Sequence, residues 1–242
     1  MEIKYLIELR ALIFDVDGTL ADTERHGHLP ACNEAMRQLG MDVQWSFEEF
    51  IAMSHLPGSA FRLAYCLEQR GMPEEKIGRY VEAFKPLKQR LYIEKYLTRL
   101  HLRPGVKPMI EEALANGIRL AVVSTSYETQ IHALLRAQLG DYYQHFAPIL
   151  GKESGRKTDT NGLLHRQCLE QMGLTATEVI MIEDSEEGLE AALAAGIPTA
   201  VFYNDYTFGK PFRGARLVAP GLEHFNLAQL AAVFEMKMES HR

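Results

Sequence analysis

Four apolar residues, Ala11-Leu12-Ile13-Phe14, run directly into Asp15-Val16-Asp17-Gly18-Thr19-Leu20. The run has no polar alternation, so it predicts a strand buried on both faces, as in the parallel sheet of an α/β protein. Asp15 then stands at the strand's carboxyl end, where open α/β sheets form their ligand sites. Residues i and i+2 of a strand point the same way, so Asp15 and Asp17 can approach one small volume. At ~4 Å and an effective dielectric of ~20, two such carboxylates repel by about 4 kcal/mol. A proton, a cationic side chain or a hard divalent ion such as Mg2+ can offset that cost. A polar turn capping the next helix is the plainer alternative. An EF-hand loop is excluded, because its sixth and twelfth positions require Gly and Glu, and those positions hold Leu20 and His26.

From about residue 25 to 102 the pattern changes to apolar residues at helical spacing. Ala31, Ala35, Met36 and Leu39 form one stripe, and further helices are expected over 47–51, 60–67, 77–84 and 87–97. Beyond Leu102-Arg103-Pro104-Gly105 strand and helix alternate again. Strands are expected at 119–123, 146–150, 178–182 and 197–202, with a short one at 216–219. Helices are expected at 106–116, 128–139, 160–172, 188–195 and 225–238. The expected fold is a doubly wound, Rossmann-like parallel α/β core made by residues 1–24 and 103–242, with an inserted helical cap over 25–102.

The composition, 47% hydrophobic over 242 residues, is ample for such a core. Asp plus Glu outnumber Lys plus Arg by 32 to 26, a formal charge of −6, which argues against nucleic acid as the main partner. Cys32, Cys66 and Cys168 are too scattered for a disulfide framework or a zinc site. Residues 1–10 lack a signal-peptide core and no apolar run reaches ~18 residues, so a cytoplasmic protein without a membrane partner, and a monomer, is expected.

Three expected strands end in polar clusters: Asp15/Asp17, Ser124/Thr125/Ser126 and Glu183/Asp184/Ser185. Each alone is weak, since a strand end followed by Ser or Asp is often only a helix N-cap. In a parallel sheet, however, all carboxyl ends share one edge, so the three can converge. Phosphoryl transfer needs a nucleophile, a metal, donors for the phosphoryl oxygens and a cation. Asp15 suits the first, Glu183 and Asp184 can supply metal oxygens, and Ser124 can donate to phosphate.

Asp-Val-Asp-Gly-Thr-Leu after an apolar strand, Ser124 after Leu-Ala-Val-Val, and Met181-Ile182-Glu183-Asp184-Ser185 with Gly188 together resemble the haloacid-dehalogenase superfamily. Most of its members are Mg2+-dependent phosphatases and phosphomutases. The resemblance implies Asp15 as nucleophile and Asp17 as general acid and base. It implies Mg2+ held by the side chains of Asp15 and Asp184 and the carbonyl of Asp17, with Glu183 as a further ligand or a support for the others. The third motif departs from the usual Lys-Pro-x-Pro-Asp. Lys157 is the best match, with Thr158 and Thr160 at the proline positions, Asp159 available to orient it, and Lys152 and Arg156 as rivals.

The placement of the helical insert is similar to that of the β-phosphoglucomutase and phosphoglycolate phosphatase group. Asp22-Thr23-Glu24-Arg25-His26-Gly27-His28, Asn33 and Leu102-Arg103-Pro104-Gly105-Val106 are similar to CbbY-type sugar-phosphate phosphatases, as are Tyr206-Thr207, Phe212 and Gly214-Ala215. Such proteins dephosphorylate sugar bisphosphates, notably xylulose 1,5-bisphosphate. Their Gly-Gly-Lys-Glu-Arg pattern reads Gly58-Ser59-Ala60-Phe61-Arg62 here. Arg62 keeps its place and can grip an anion, or is an ordinary surface arginine. The lost lysine points to a monophosphate or a different bisphosphate. Glu24 resembles a substrate-contacting acid, and His28 either bonds substrate or caps a helix.

The expected activity is a Mg2+-dependent hydrolase of small phosphorylated metabolites, with Ser124, Thr125 and Lys157 holding the phosphoryl oxygens. A phosphomutase on the same scaffold and a ligand-binding protein of little turnover are the alternatives.

Overall fold

The structure, a computed structural model, describes residues 7–237. The first six residues and Met238, the expected end of the last helix, lie outside them. The chain divides into two compact units, one from residues up to Asp22 and from His101 onward, the other from Thr23 to Leu100. Both crossings fall two residues ahead of the expected boundaries.

In the first unit the strands are β1 (Ile7–Glu8), β2 (Ala11–Phe14), β3 (Arg119–Val123), β4 (Phe146–Leu150), β5 (Val179–Glu183), β6 (Thr199–Phe202), β7 (Leu217–Ala219) and β8 (Met236–Lys237). Six of them form one sheet in the order β4-β3-β2-β5-β6-β7, parallel throughout. Phe14 stands opposite Val122 of β3 on one side and Ile182 of β5 on the other. β2 and β5 are buried along their whole length, which explains their unbroken apolar sequence. The order of connection reverses between β2 and β5, and a crevice opens outside the carboxyl ends at such a reversal.

Within the helical unit are α1 (Leu29–Gln38), α2 (Phe47–Ala52), α3 (Ser59–Gln69) and α4 (Glu74–Leu91). The two helices expected at 77–84 and 87–97 are largely one. α4 carries Pro86 in its interior and runs on through a π-helical turn, Tyr92–Tyr96. A second π-helical turn, Glu24–His28, precedes α1. Gly27 allows a close approach there, since a Cβ would fall 2.8 Å from the Tyr92 ring. The unit has its own core of Met36, Trp45, Phe50, Leu63 and Phe84, each worth about 1.5–3 kcal/mol on burial. Asn33 pins the chain at Trp45 through both backbone groups, at 2.9 Å each.

The α/β unit adds α5 (Val106–Ala115), α6 (Glu128–Leu139), α7 (Leu163–Met172), α8 (Glu186–Ala194) and α9 (Leu227–Val233). Against one sheet face pack Leu164, Cys168 and Leu169 of α7, meeting Ile13, Ala121, Val123 and Met181. α7 starts three residues later than expected because Gly162, at φ +66°, still belongs to the preceding turn. The last helix is shorter than expected. It ends at Val233, Glu235 turns the chain at φ +55°, and β8 pairs with β1. That pairing has no clear local signal in the sequence.

Candidate active site

The ends of β2, β3 and β5 bring the polar clusters of the α/β unit to one edge. Asp15, Glu183 and Asp184 are buried, and one oxygen from each lies within 4.8 Å of the others. Asp15 is fixed by its own backbone, whose N–H donates to Ile182 O at 3.0 Å. Lys157 comes from the loop between β4 and α7. Its ammonium, 3% exposed, donates to Asp15 Oδ1 at 2.5 Å and also to Glu183 Oε1. Neither rival takes that place. Lys152 is exposed, with Nζ 3.2 Å from the Tyr127 hydroxyl, and Arg156 is exposed. Asp159 does not orient the lysine; its carboxylate accepts the Asn161 N–H and shapes the turn before α7.

Glu183 is a hub. While Oε1 takes Lys157, Oε2 accepts the N–H groups of Asp184 and Ser185 and the Ser185 hydroxyl. Gly188 is needed beside it, because a Cβ there would sit 2.0 Å from Glu183 Oε1. Asp184 accepts from Thr19 Oγ1 at 3.2 Å and Asn204 Nδ2 at 2.7 Å. Ser126 Oγ donates to Asp17 Oδ2 at 2.5 Å. Ser124 is fully buried at the end of β3 and accepts the Ser126 N–H, whereas Thr125 is exposed.

Burial and the neighbouring Glu183 and Asp17 carboxylates raise the Asp15 carboxyl to about 7, against the pull of Lys157. Burial, Glu183 and Asp15 hold Asp184 well above the ordinary carboxylate range. Burial alone would lower Lys157, but the attraction of Asp15 and Glu183 outweighs it and raises the ammonium. If all three carboxyls were ionised, the one ammonium would leave an excess of two negative charges, which is the strain that their raised titration expresses. A hard divalent cation with oxygen ligands fits both the charge and the donor set.

The helical unit holds a second cluster. Glu24 and Arg62 form an ion pair at 3.6 Å. Arg62 is 8% exposed, with its guanidinium 4.4 Å over the Phe50 ring, so it is not an ordinary surface arginine. His28 stacks on Tyr92 at 4.1 Å, and its Nδ1 lies 2.9 Å from Lys88 Nζ. Lys88, Ser126, Arg103 and Asn204 were not singled out from sequence as site residues. Ser126 and Arg103 lie inside motifs that were noticed; Lys88 lies on a strongly charged helix, and Asn204 follows a strand without any marker.

Known proteins resemble this chain over most of its length. The family model for haloacid dehalogenase-like hydrolases matches residues 12–202. A curated relative, "Protein CbbY, plasmid" of Cupriavidus necator, is 38% identical over 220 residues, covering 88% of this chain and 86% of its own. Among solved structures, CbbY from Rhodobacter sphaeroides in complex with phosphate aligns at TM-score 0.77 and 30% identity, over 92% of this chain and 99% of that one. A mutant of the same protein in complex with xylulose-(1,5)bisphosphate aligns equally well.

Proposed function

From the premise that this chain belongs to the haloacid dehalogenase-like hydrolase family, we propose a Mg2+-dependent phosphatase of small sugar phosphates that works through a phosphoaspartate. The single observation that carries the reading is Asp15 at the strand reversal, held by Lys157 within a buried cluster of three carboxyl groups.

Asp15 and Asp184, with the Asp17 carbonyl, are the groups that would hold Mg2+. When bound, the ion supplies charge neutralisation for the carboxylates and the phosphoryl oxygens. A neutral Asp15 is a poor nucleophile, and in the metal-free protein its carboxyl titrates at about 7; a divalent cation favours the ionised form. Asp15 attacks phosphorus in line, forming a carboxylate–phosphorus bond as the bond to the sugar oxygen breaks. Asp17 gives its proton to that oxygen. It then removes a proton from the water that attacks the phosphoaspartate, which frees phosphate and restores Asp15. Lys157 and the Ser124 hydroxyl stabilise the charge on the transferred group. A phosphorylated sugar as substrate is supported by the relatives' complexes with phosphate and a sugar bisphosphate.

The test is phosphate release from a panel of sugar mono- and bisphosphates with Mg2+, with and without EDTA. Rapid release from a small group of substrates, abolished by EDTA, is expected. Asp15→Asn should fold and lose about 10^4-fold or more of turnover. A folded, active Asp15→Asn protein would rule out this nucleophile. Transfer to a second sugar hydroxyl with little free phosphate would make the enzyme a mutase instead.

A further inference from the structure

Asp184 is gripped at both oxygens, and the two donors come from different loops. Thr19 Oγ1 reaches Oδ1 from the turn after β2; Asn204 Nδ2 reaches Oδ2 from the segment after β6. The amide orientation of Asn204 is not arbitrary. Its Oδ1 accepts both the N–H and the hydroxyl of Thr207, and its own N–H donates to Thr207 Oγ1. The amide NH2 is therefore the end that faces the carboxylate.

One guanidinium ties the two loops together. Arg103 donates to Gly18 O at 2.5 Å, next to Thr19, and to Phe202 O at 2.7 Å and Tyr203 O at 2.8 Å, next to Asn204. A fourth bond, at 3.2 Å, reaches Pro220 O before α9. A planar fork with five N–H donors in fixed directions can serve all four carbonyls at once, one more than the three donors of a lysine.

Resting on the proposed Mg2+ site, we propose that Asn204 is a positioning residue for the metal-binding carboxylate of Asp184, aimed by Thr207 and set in register with Thr19 by Arg103. Asn204 does not touch the ion or the substrate in this assignment. It removes the rotational freedom of Asp184, so that the carboxylate stays turned toward Asp15 and Glu183, where the ion would be held. Partners that orient a metal ligand in this way typically contribute 10–100-fold in metal affinity.

The experiment is calorimetric titration of the substrate-free protein with MgCl2, alongside thermal unfolding with and without Mg2+. For Asn204→Ala, a Mg2+ Kd about 10–100-fold weaker is expected, with a metal-free Tm close to that of the wild type and a reduced upward shift on adding Mg2+. Thr207→Ala keeps the amide but frees its orientation, and a smaller weakening is expected. It also carries the test if Asn204→Ala does not fold. A folded Asn204→Ala, or failing that Thr207→Ala, with an unchanged Mg2+ Kd would overturn the assignment while leaving the phosphatase reading intact. A wild-type protein that binds no Mg2+ would overturn the proposed metal site and this assignment together.

Discussion

Lys157 Nζ lies 2.5 Å from Asp15 Oδ1 and donates to Glu183 as well, so one ammonium joins the ends of two neighbouring strands to the loop after a third. Removing it strands buried carboxylates. Lys157→Met should destabilise the metal-free protein by about 3–5 kcal/mol, the usual cost of breaking a buried ion pair from one side. Turnover should fall by about 10^2–10^3-fold. Added Mg2+ should recover part of the stability and little of the rate. Chemical unfolding with and without Mg2+, beside phosphate release, checks both halves.

The hydroxyl of Ser126 meets Asp17, the expected proton carrier, at 2.5 Å. Ser126→Ala should leave the fold intact and slow alkyl phosphates, whose leaving oxygen needs a proton, by about 10-fold, less than the ~10^2–10^4-fold that a general acid supplies, because Asp17 itself remains. p-Nitrophenyl phosphate has a leaving group that departs without protonation and should be slowed far less. Equal slowing of both classes would remove Ser126 from any role in proton transfer.

Gly18 has φ +83°, and a Cβ there would lie 2.2 Å from Asp184 Oδ2. Gly18→Ala thus combines a strained backbone with a collision at Asp184, the carboxylate proposed to hold the metal. A loss of about 1–3 kcal/mol is expected from the backbone alone, together with weaker Mg2+ binding. Thermal unfolding and calorimetric titration test this; Gly40→Ala is the control, since it also has a positive φ but nothing near its Cβ.

His165 on α7 is fully buried, and neither ring nitrogen has a hydrogen-bond partner among the described residues. Burial, helped by the Lys157 charge, lowers its imidazole to about 3. The unfolded chain, with an ordinary histidine near 6.5, binds that proton first. The group's contribution is thus intact above pH ~6.5 and lost by up to about 1.4 kcal/mol per pH unit as the pH falls toward 3. The raised carboxyls of Asp15 and Asp184 act in the opposite sense, so the informative comparison is wild type against His165→Leu at each pH. The variant should be as stable or more stable at pH 7, because two unpaired polar atoms disappear, and should lose less on acidification. Urea unfolding from pH 7 to 4.5 reads the difference.

Asp15, Ser124 and Glu183–Asp184 were legible in sequence because each follows a strand apolar on both faces, and parallel strands share one carboxyl edge. Lys157 was legible only as the best of three cations. Its loop lacks a fixed pattern, and what selects the residue is burial between two carboxylates. The apolar pattern of the long helix α4 reads as two segments, 77–84 and 87–97, whereas the helix continues through Pro86 between them. Asn204 and Arg103 act through contacts with residues about 20 and 85 or more positions away. No periodicity or spacing carries such information. The pairing of β1 with β8 was missed for the same reason, since it joins opposite ends of the described chain.

The central place of β2 has a consequence during synthesis. Within the six-stranded sheet it is the first strand in the chain, yet it pairs with β3 and β5, which begin at Arg119 and Val179. At roughly 5–20 residues per second, the ribosome leaves it without its first neighbour for about 5–20 s. A short, uncharged, apolar strand with open edges is the type of segment that pairs with other chains. The intervening helical unit, whose residues 23–100 all precede β3, can fold in that interval. The nascent chain therefore carries Asp15, the proposed nucleophile, beside an unpaired strand until the rest of the sheet arrives, which makes β2 a natural point for chaperone capture and for aggregation when translation stalls before β3.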